Sequence, residues 1–480
     1  METDNRPSEI SKSRRSLLRG LKRIGCGLLI LLLLAVGAQA WRQHSAQQRL
    51  KELLAELDRT EPGWRLEDLE AAREEVPEEE NSARVVVLAA QNLPRSWPPE
   101  DLSEDRFRFQ PPNEMLNGED YVLLVSELAN VRTASDIASK LADMPRGRHR
   151  PSYTRDAIFP KFPRDQLNSR RIVTLLVYES LQWNQRGESQ AALTACHAAL
   201  NAARSLGDGP SPFEQLIRCA GIDCACWAIE RALGQGEPMP QDMEPLQKLI
   251  EDEDAFPEQL IAARGQRASE HRVFEGVECG EASRDDLVIR PMGWLKRTIP
   301  SLWYLDARED HALFLSLMKR RIQEVQQPLH KQTASEKQFE QVVRALPERA
   351  FITRLMLSDQ STAGERFRRK HAYLRCTIVA LAAERFRRDK EVWPDNIDQL
   401  CPQFLSSAPL DPYDGKSLRY RRVEDGVVIY SVGGNAVDDG GTLDRNNQSV
   451  SGVDIGLRLW DAAQRRQPPQ PKQRNEEKPR

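Results

Sequence analysis

The sequence predicts a mostly α protein: a single N-terminal transmembrane helix, a helical exported domain and a small C-terminal α+β module with an antiparallel sheet. Three observations carry this expectation. An unbroken apolar run follows a basic N-terminus. Through the middle of the chain apolar residues recur at helical spacing. From Leu418 onward they alternate with polar ones, and a turn signal interrupts the alternation.

Composition narrows the classes of function. The 480 residues carry 69 Lys+Arg and 72 Asp+Glu, a formal charge of -3. No basic excess exists to neutralise phosphates, so general nucleic-acid binding is not expected. A mean hydropathy of -0.60 excludes a polytopic membrane protein. Eight Cys over this length are too sparse for a disulfide scaffold.

Residues 1–23 form a basic segment with Arg6, Lys12, Arg14, Arg15, Arg19, Lys22 and Arg23. The apolar run Ile24 to Ala38, extended through Gln39 and Ala40 to Trp41, reaches the lower limit of a bilayer span, roughly 17–25 residues. Basic residues crowd its N-terminal side, so the N-terminus belongs in the cytoplasm and the bulk outside it. Cleavage as a signal peptide competes with this reading. Ala38-Gln39-Ala40 fits an A-x-A site, and Arg14-Arg15 imitates a twin-arginine signal. An uncleaved anchor over 24–41 is favoured, because Leu50, Leu53, Leu54 and Leu57 continue one helical face beyond Trp41.

Residues 42–118 read as this helix, an acidic stretch around Pro77 and a connection broken by Pro94, Pro98, Pro99, Pro111 and Pro112. Residues 119–350 read as a helical domain. Ile172, Leu175, Leu176, Tyr178 and Leu181 form one stripe; Ala192, Leu193, Cys196, Ala199, Leu200 and Ala203 form the next. Arg186-Gly187-Glu188 breaks the first helix and Leu206-Gly207 closes the second. The pair resembles one tetratricopeptide-type unit, but no repeat at that period follows, so a generic helical hairpin is the favoured reading. Cys224 and Cys226 lack the C-x-x-C spacing of metal ligands, whereas Ile222, Cys226, Ile229 and Leu233 share a helical stripe; these cysteines read as core. An aromatic-packed connection is expected at Gly293-Trp294, Pro300 and Trp303-Tyr304, and a disordered tail over 463–480.

No catalytic residues emerge. The seven His are scattered, with no H-E-x-x-H, no G-x-S-x-G and no G-x-G-x-x-G. Gly415-Lys416-Ser417 imitates the end of a phosphate loop, but Leu410 stands where its first glycine belongs.

Residues 360–462 form the C-terminal module. Leu374, Ile378, Leu381 and Phe386 lie on a long helix with basic residues on its other side. The helix ends before Trp393-Pro394. Ile397, Leu400, Phe404 and Leu405 follow, then the turn Leu410-Asp411-Pro412-Tyr413-Asp414-Gly415. Leu418 and Tyr420 alternate with Arg419 and Arg421. Asp425-Gly426 signals a hairpin, and Val427, Ile429 and Ser431 alternate back.

Those residues, with Ser431-Val432-Gly433-Gly434-Asn435, Gly440-Gly441 and Asp454-Ile455, resemble the globular domain of the major pseudopilins of type II secretion systems over about 366–460. Asn435 stands where that family has Asp and Ala436 where it has Gly, and the loop before Asp454 is longer. The family's cleavage site and early Glu are missing near the apolar run, so the chain is not expected to be a processed pilus subunit. The resemblance implies calcium in the loop from Gly433 to Asp454. Asp438, Asp439, Asp444 and Asp454 are its candidate ligands, and the loop glycines let the backbone turn its carbonyls inward.

The function expected is that of a membrane-anchored, non-enzymatic envelope protein. It would sit in the bacterial inner membrane with its bulk periplasmic, and its pseudopilin-like module would contact envelope or secretion proteins. An exported hydrolase using loop or groove carboxylates, or a helical peptide-binding adaptor, is the alternative.

Overall fold

Apolar residues at helical spacing make the described residues mostly helical (65%), and the computed structural model adds one small antiparallel sheet of three strands. It describes residues 9–151, 164–281, 307–358, 360–444 and 452–469. The aromatic connection expected at 293–304 lies outside them. The described residues divide into two units.

The first unit comprises 1–62, 274–317 and 347–355. Its main element is α1 (Glu9–Thr60), 52 residues long and therefore about 78 Å at 1.5 Å per residue. Leu28 to Leu34, Val36 and Trp41 are all exposed, between 56% and 72%. Leu50 and Leu57 further along are buried, as expected of a face that continues past the apolar run. Phe274 stacks on His311 with ring centroids 4.7 Å apart, and His311 Nδ1 lies 2.8 Å from Glu278 Oε1. The Asp310 carboxylate accepts the Ile352 and Thr353 N–H groups, at 2.9 and 3.3 Å. It thereby satisfies donors that the start of a helix leaves open.

The second unit comprises 63–273, 318–346 and 356–480. Helices α2 (Arg164–Arg186), α3 (Ser189–Arg204) and α4 (Pro212–Gln235) pack on one another. The stripes read from sequence are buried: Ile172, Leu175, Leu176, Tyr178 and Leu181 on α2, and Ala192, Leu193, Cys196, Ala199, Leu200 and Ala203 on α3. Gly221 lets α4 approach closely, since a Cβ there would lie 2.7 Å from that of Ala203. Helix α5 (Pro240–Asp254) leads into α6 (Glu258–Glu278), and the long C-terminal helix α7 (Gln360–Lys390) packs on both α4 and α5.

Strands β1 (Arg419–Val423), β2 (Gly426–Ser431) and β3 (Ile455–Trp460) pair antiparallel in the order β1-β2-β3. Glu424 and Asp425 make the hairpin loop, with Val423 opposite Gly426. Every residue of β2 is buried. Val427 and Ile429 join the core that holds α4 and α7. On the other face the glycine-rich loop after β2 covers Val428 and Tyr430: a Cβ on Gly441, whose φ is +78°, would stand 3.0–3.2 Å from both. Glu230 of α4 ties helices to sheet, accepting the Tyr373 hydroxyl at 3.0 Å and the Arg458 N–H at 3.2 Å.

The end of the chain orders further than its composition suggests. Arg465 is buried and donates to both Glu384 oxygens, at 3.1 and 2.9 Å. Gln467 exchanges backbone hydrogen bonds with Asn113 and Met115, both 2.8 Å. Disorder read from Pro, Gln and Arg content therefore does not hold for 463–469, because a buried carboxylate waits for the arginine. Residues 470–480 lie outside the described ones.

Candidate functional site

Helix α5 ends at Asp254, and Pro257 opens α6 one short turn later. The junction lays three carboxylates, Glu253, Asp254 and Glu258, against α7. There Arg368, Lys370 and His371 are buried, Arg368 and Lys370 each 1% exposed, and Arg369 between them is half-buried. Lys370 Nζ lies 3.0 Å from Glu258 and 3.6 Å from Glu253. His371 sits between two acids, with Nδ1 2.7 Å from Asp254 and Nε2 2.8 Å from Glu258. Arg375 Nε donates to Asp254 at 2.9 Å, and Arg218 grips Glu253 through two bonds of 3.0 and 2.5 Å.

Burial opposes charge on Glu253, Asp254, Glu258, Lys370 and His371, and the partners outweigh it. Glu258 is held well below the usual carboxylate range by Lys370 and His371. Asp254 is lowered by His371 and Arg375, and Glu253 by Arg218 and Lys370. In return Glu258 raises His371 and, with Glu253, raises Lys370. The partners thus favour the charged forms of Glu253, Asp254, Glu258, Lys370 and His371. Proton transfer at such a site would cost the pairing that makes burial tolerable.

A cavity of about 250 Å³ opens nearby, lined among others by Leu216, Gln259, Gln266, Arg321, Arg366 and Phe367. Beneath it Cys219, Ala262 and Phe367 form a small apolar cluster. None of the seven groups of the ionic network lines this space. Burial raises two further acids, Glu214 to about 7 and Glu270 to about 8. His149 is lowered to about 4 by burial and by Arg73.

Asp438, Asp439, Asp444 and Asp454 all belong to the segment that runs over the sheet. Asp454, 1% exposed, accepts N–H groups of Asp439 at 3.4 Å and Gly441 at 2.8 Å. Asp438 Oδ1 accepts the Tyr430 hydroxyl and the Gly440 N–H, both at 3.0 Å. Asp439 takes the Asn435 amide at 2.8 Å, and Asp444 is half-buried two residues beyond Thr442, whose carbonyl accepts Asp454 N–H at 2.8 Å. Among the described residues no group of three or more His, Cys, Asp or Glu side chains is arranged to hold a metal ion. The residues 445–451 that complete this loop lie outside the description. Cys196, Cys219, Cys224 and Cys226 are buried and form no disulfide, and burial pushes the Cys196 thiol up to about 12.

Sequence reasoning did not find the ionic network. Its α7 members stand 112 to 121 positions from their acids, Arg218 stands 35 from Glu253, and four helices contribute. The available signal was the basic run Arg368 to His371 on a helix flanked by apolar residues on both sides. Scanning the chain against protein-family models, curated proteins and solved structures finds no match.

Proposed function

We propose that this chain is a single-pass, non-enzymatic protein of the bacterial envelope. Its N-terminus would lie in the cytoplasm, and residues 42–480 would form an extracytoplasmic body that makes protein contacts. One observation carries the reading: the exposed apolar stretch Leu28 to Val36 occupies all sides of its helix and buries none of it. A helix apolar on every side needs either a protein core or lipid around it, and the basic flank before Ile24 sets the direction of insertion. Alkaline phosphatase fused after Pro62 and after Pro469 is expected to be active, and green fluorescent protein at the same points dark. The opposite pattern, or a soluble product beginning at Trp41, overturns the anchor.

The C-terminal part supplies the contact module, and two features support its kinship with the pseudopilin domain. A long helix, the Asp411 turn and a three-stranded meander follow in that order. Ala436, where the family has glycine, holds a left-handed φ of +55°. Asp411 organises the turn by accepting the Tyr413 N–H, the Ser431 hydroxyl and the Val432 N–H at 2.8–2.9 Å. The hydrolase reading is disfavoured because the concentrated acids and bases are paired and stand away from the cavity.

Calcium belongs to this proposal. Asp438, Asp439, Asp444 and Asp454 would exchange their present N–H and hydroxyl donors for the ion, together with loop carbonyls, and so clamp the loop on Val428 and Tyr430. A ligand at 100 times its Kd stabilises by about 2.7 kcal/mol. Calorimetry of the full chain in detergent is expected to show a rise in Tm with millimolar calcium that Asp454→Ala abolishes. An unchanged Tm, or a rise that survives in the variant, rejects the ion.

A further inference from the structure

Within the first unit, three guanidinium groups gather just past the end of the apolar stretch. Arg42 follows Trp41, which is 72% exposed, and donates to Glu309 at 3.2 Å. Arg349 reaches the other oxygen of Glu309 at 3.6 Å. Arg308 meets the neutral amide of Gln47, at 3.5 Å. Glu309 is thus a carboxylate that Arg42 and Arg349 share. The arrangement is fixed from behind: Asp310, next to Glu309, binds the Ile352 and Thr353 N–H groups just beyond Arg349.

We infer that Arg42, Arg308 and Arg349 form a binding site for the phosphate of an anionic phospholipid in the leaflet facing away from the cytoplasm. The inference rests on the single-pass reading above and adds a lipid ligand to it. Depth along the helix supplies the first argument. At 1.5 Å per residue Gln47 stands about 9 Å from Trp41, and the headgroup layer on each side is about 5–8 Å thick. Arg42 and its partner Glu309 fall inside that layer, with Arg308, which meets Gln47, just beyond it. Chemistry supplies the second. Guanidinium groups match phosphate oxygens in a two-bond fork, and Glu309 holds Arg349 loosely enough to share. The third is placement: positive charge on this side runs against the usual distribution of Lys and Arg about a span, which gives it a local task.

The test uses the full chain in nanodiscs of phosphatidylcholine with a minor share of phosphatidylglycerol. Lipids that stay bound are read by native mass spectrometry. The wild type is expected to retain phosphatidylglycerol above its share of the disc. Removal of one arginine at such a surface should weaken retention roughly fivefold, so Arg308→Gln combined with Arg349→Gln should bring it down to the bulk ratio. Glu309→Gln removes the competing carboxylate and should increase retention, a gain that a misfolded variant would not give. Insertion without lipid preference, or the same preference in the double variant, overturns the lipid site and leaves the anchor standing. Failure of the wild type to enter the disc overturns both.

Discussion

Replacing Lys370 with methionine is expected to destabilise the second unit by about 3–5 kcal/mol, the usual loss when one member of a buried ion pair is removed. The ammonium is 1% exposed, 3.0 Å from Glu258 and 3.6 Å from Glu253. Methionine fills much the same space, so packing changes little and the charge term dominates. Glu253 keeps Arg218, at 3.0 and 2.5 Å, but Glu258 is left to rely on His371. The resulting fall in Tm is on the order of 5–10 °C, read by calorimetry of the full chain. A second substitution sharpens the test. Lys370→Met with Glu258→Gln removes both charges, and neutral replacement of a whole buried pair is often close to harmless. The double variant should therefore recover part of the loss. A single variant that melts within about a degree of wild type would mean that the network carries no such energy.

That network also marks where reading from sequence runs out. The stripes on α2 and α3 were legible because a buried face repeats every 3.6 residues whatever it packs against. The hairpin at Asp425-Gly426 was legible from its turn residues. Neither signal depends on a distant partner. The pairing of Lys370 with Glu258 does, and nothing local to either residue announces it. The alternation in β2 told half the truth for a similar reason. Val427 and Ile429 face the helices as expected, but Val428 and Tyr430 are buried too, under a loop whose Asp, Asn and Gly content reads as solvated. Arg465 was hidden among tail-like residues, and its partner Glu384 lies 81 positions earlier. The candidate calcium residues were found only through a family resemblance. Their spacing alone is also that of a polar loop whose carboxylates cap its own N–H groups.

Thermal stability should fall between pH 6.5 and 8, and Glu270→Gln should remove a large part of that fall. Burial raises Glu270 from an ordinary 4.5 to about 8 and Glu214 to about 7. A carboxyl whose pKa rises on folding binds its proton more tightly in the native state. Stability then declines as pH climbs from the unfolded value through the folded one. His371 acts in the same direction. Glu258 raises it above 6.5, so its contribution is fully present below 6.5 and is lost as pH rises through its folded value. The opposing groups have finished by then. His149, lowered to about 4, gains its stabilising effect between 4 and 6.5. The depressed carboxylates Asp254 and Glu258 lose theirs only on acidification. A glutamine at 270 keeps an oxygen to accept the Gln266 amide, which donates to Glu270 at 2.9 Å, but it never ionises. Melting curves of the full chain taken from pH 5 to 9 should thus coincide for wild type and Glu270→Gln near pH 5. They should separate progressively above pH 5 and up to about 8, with the variant higher and its slope shallower, and equal slopes for both proteins would show that Glu270 ionises in the native state as it does in water.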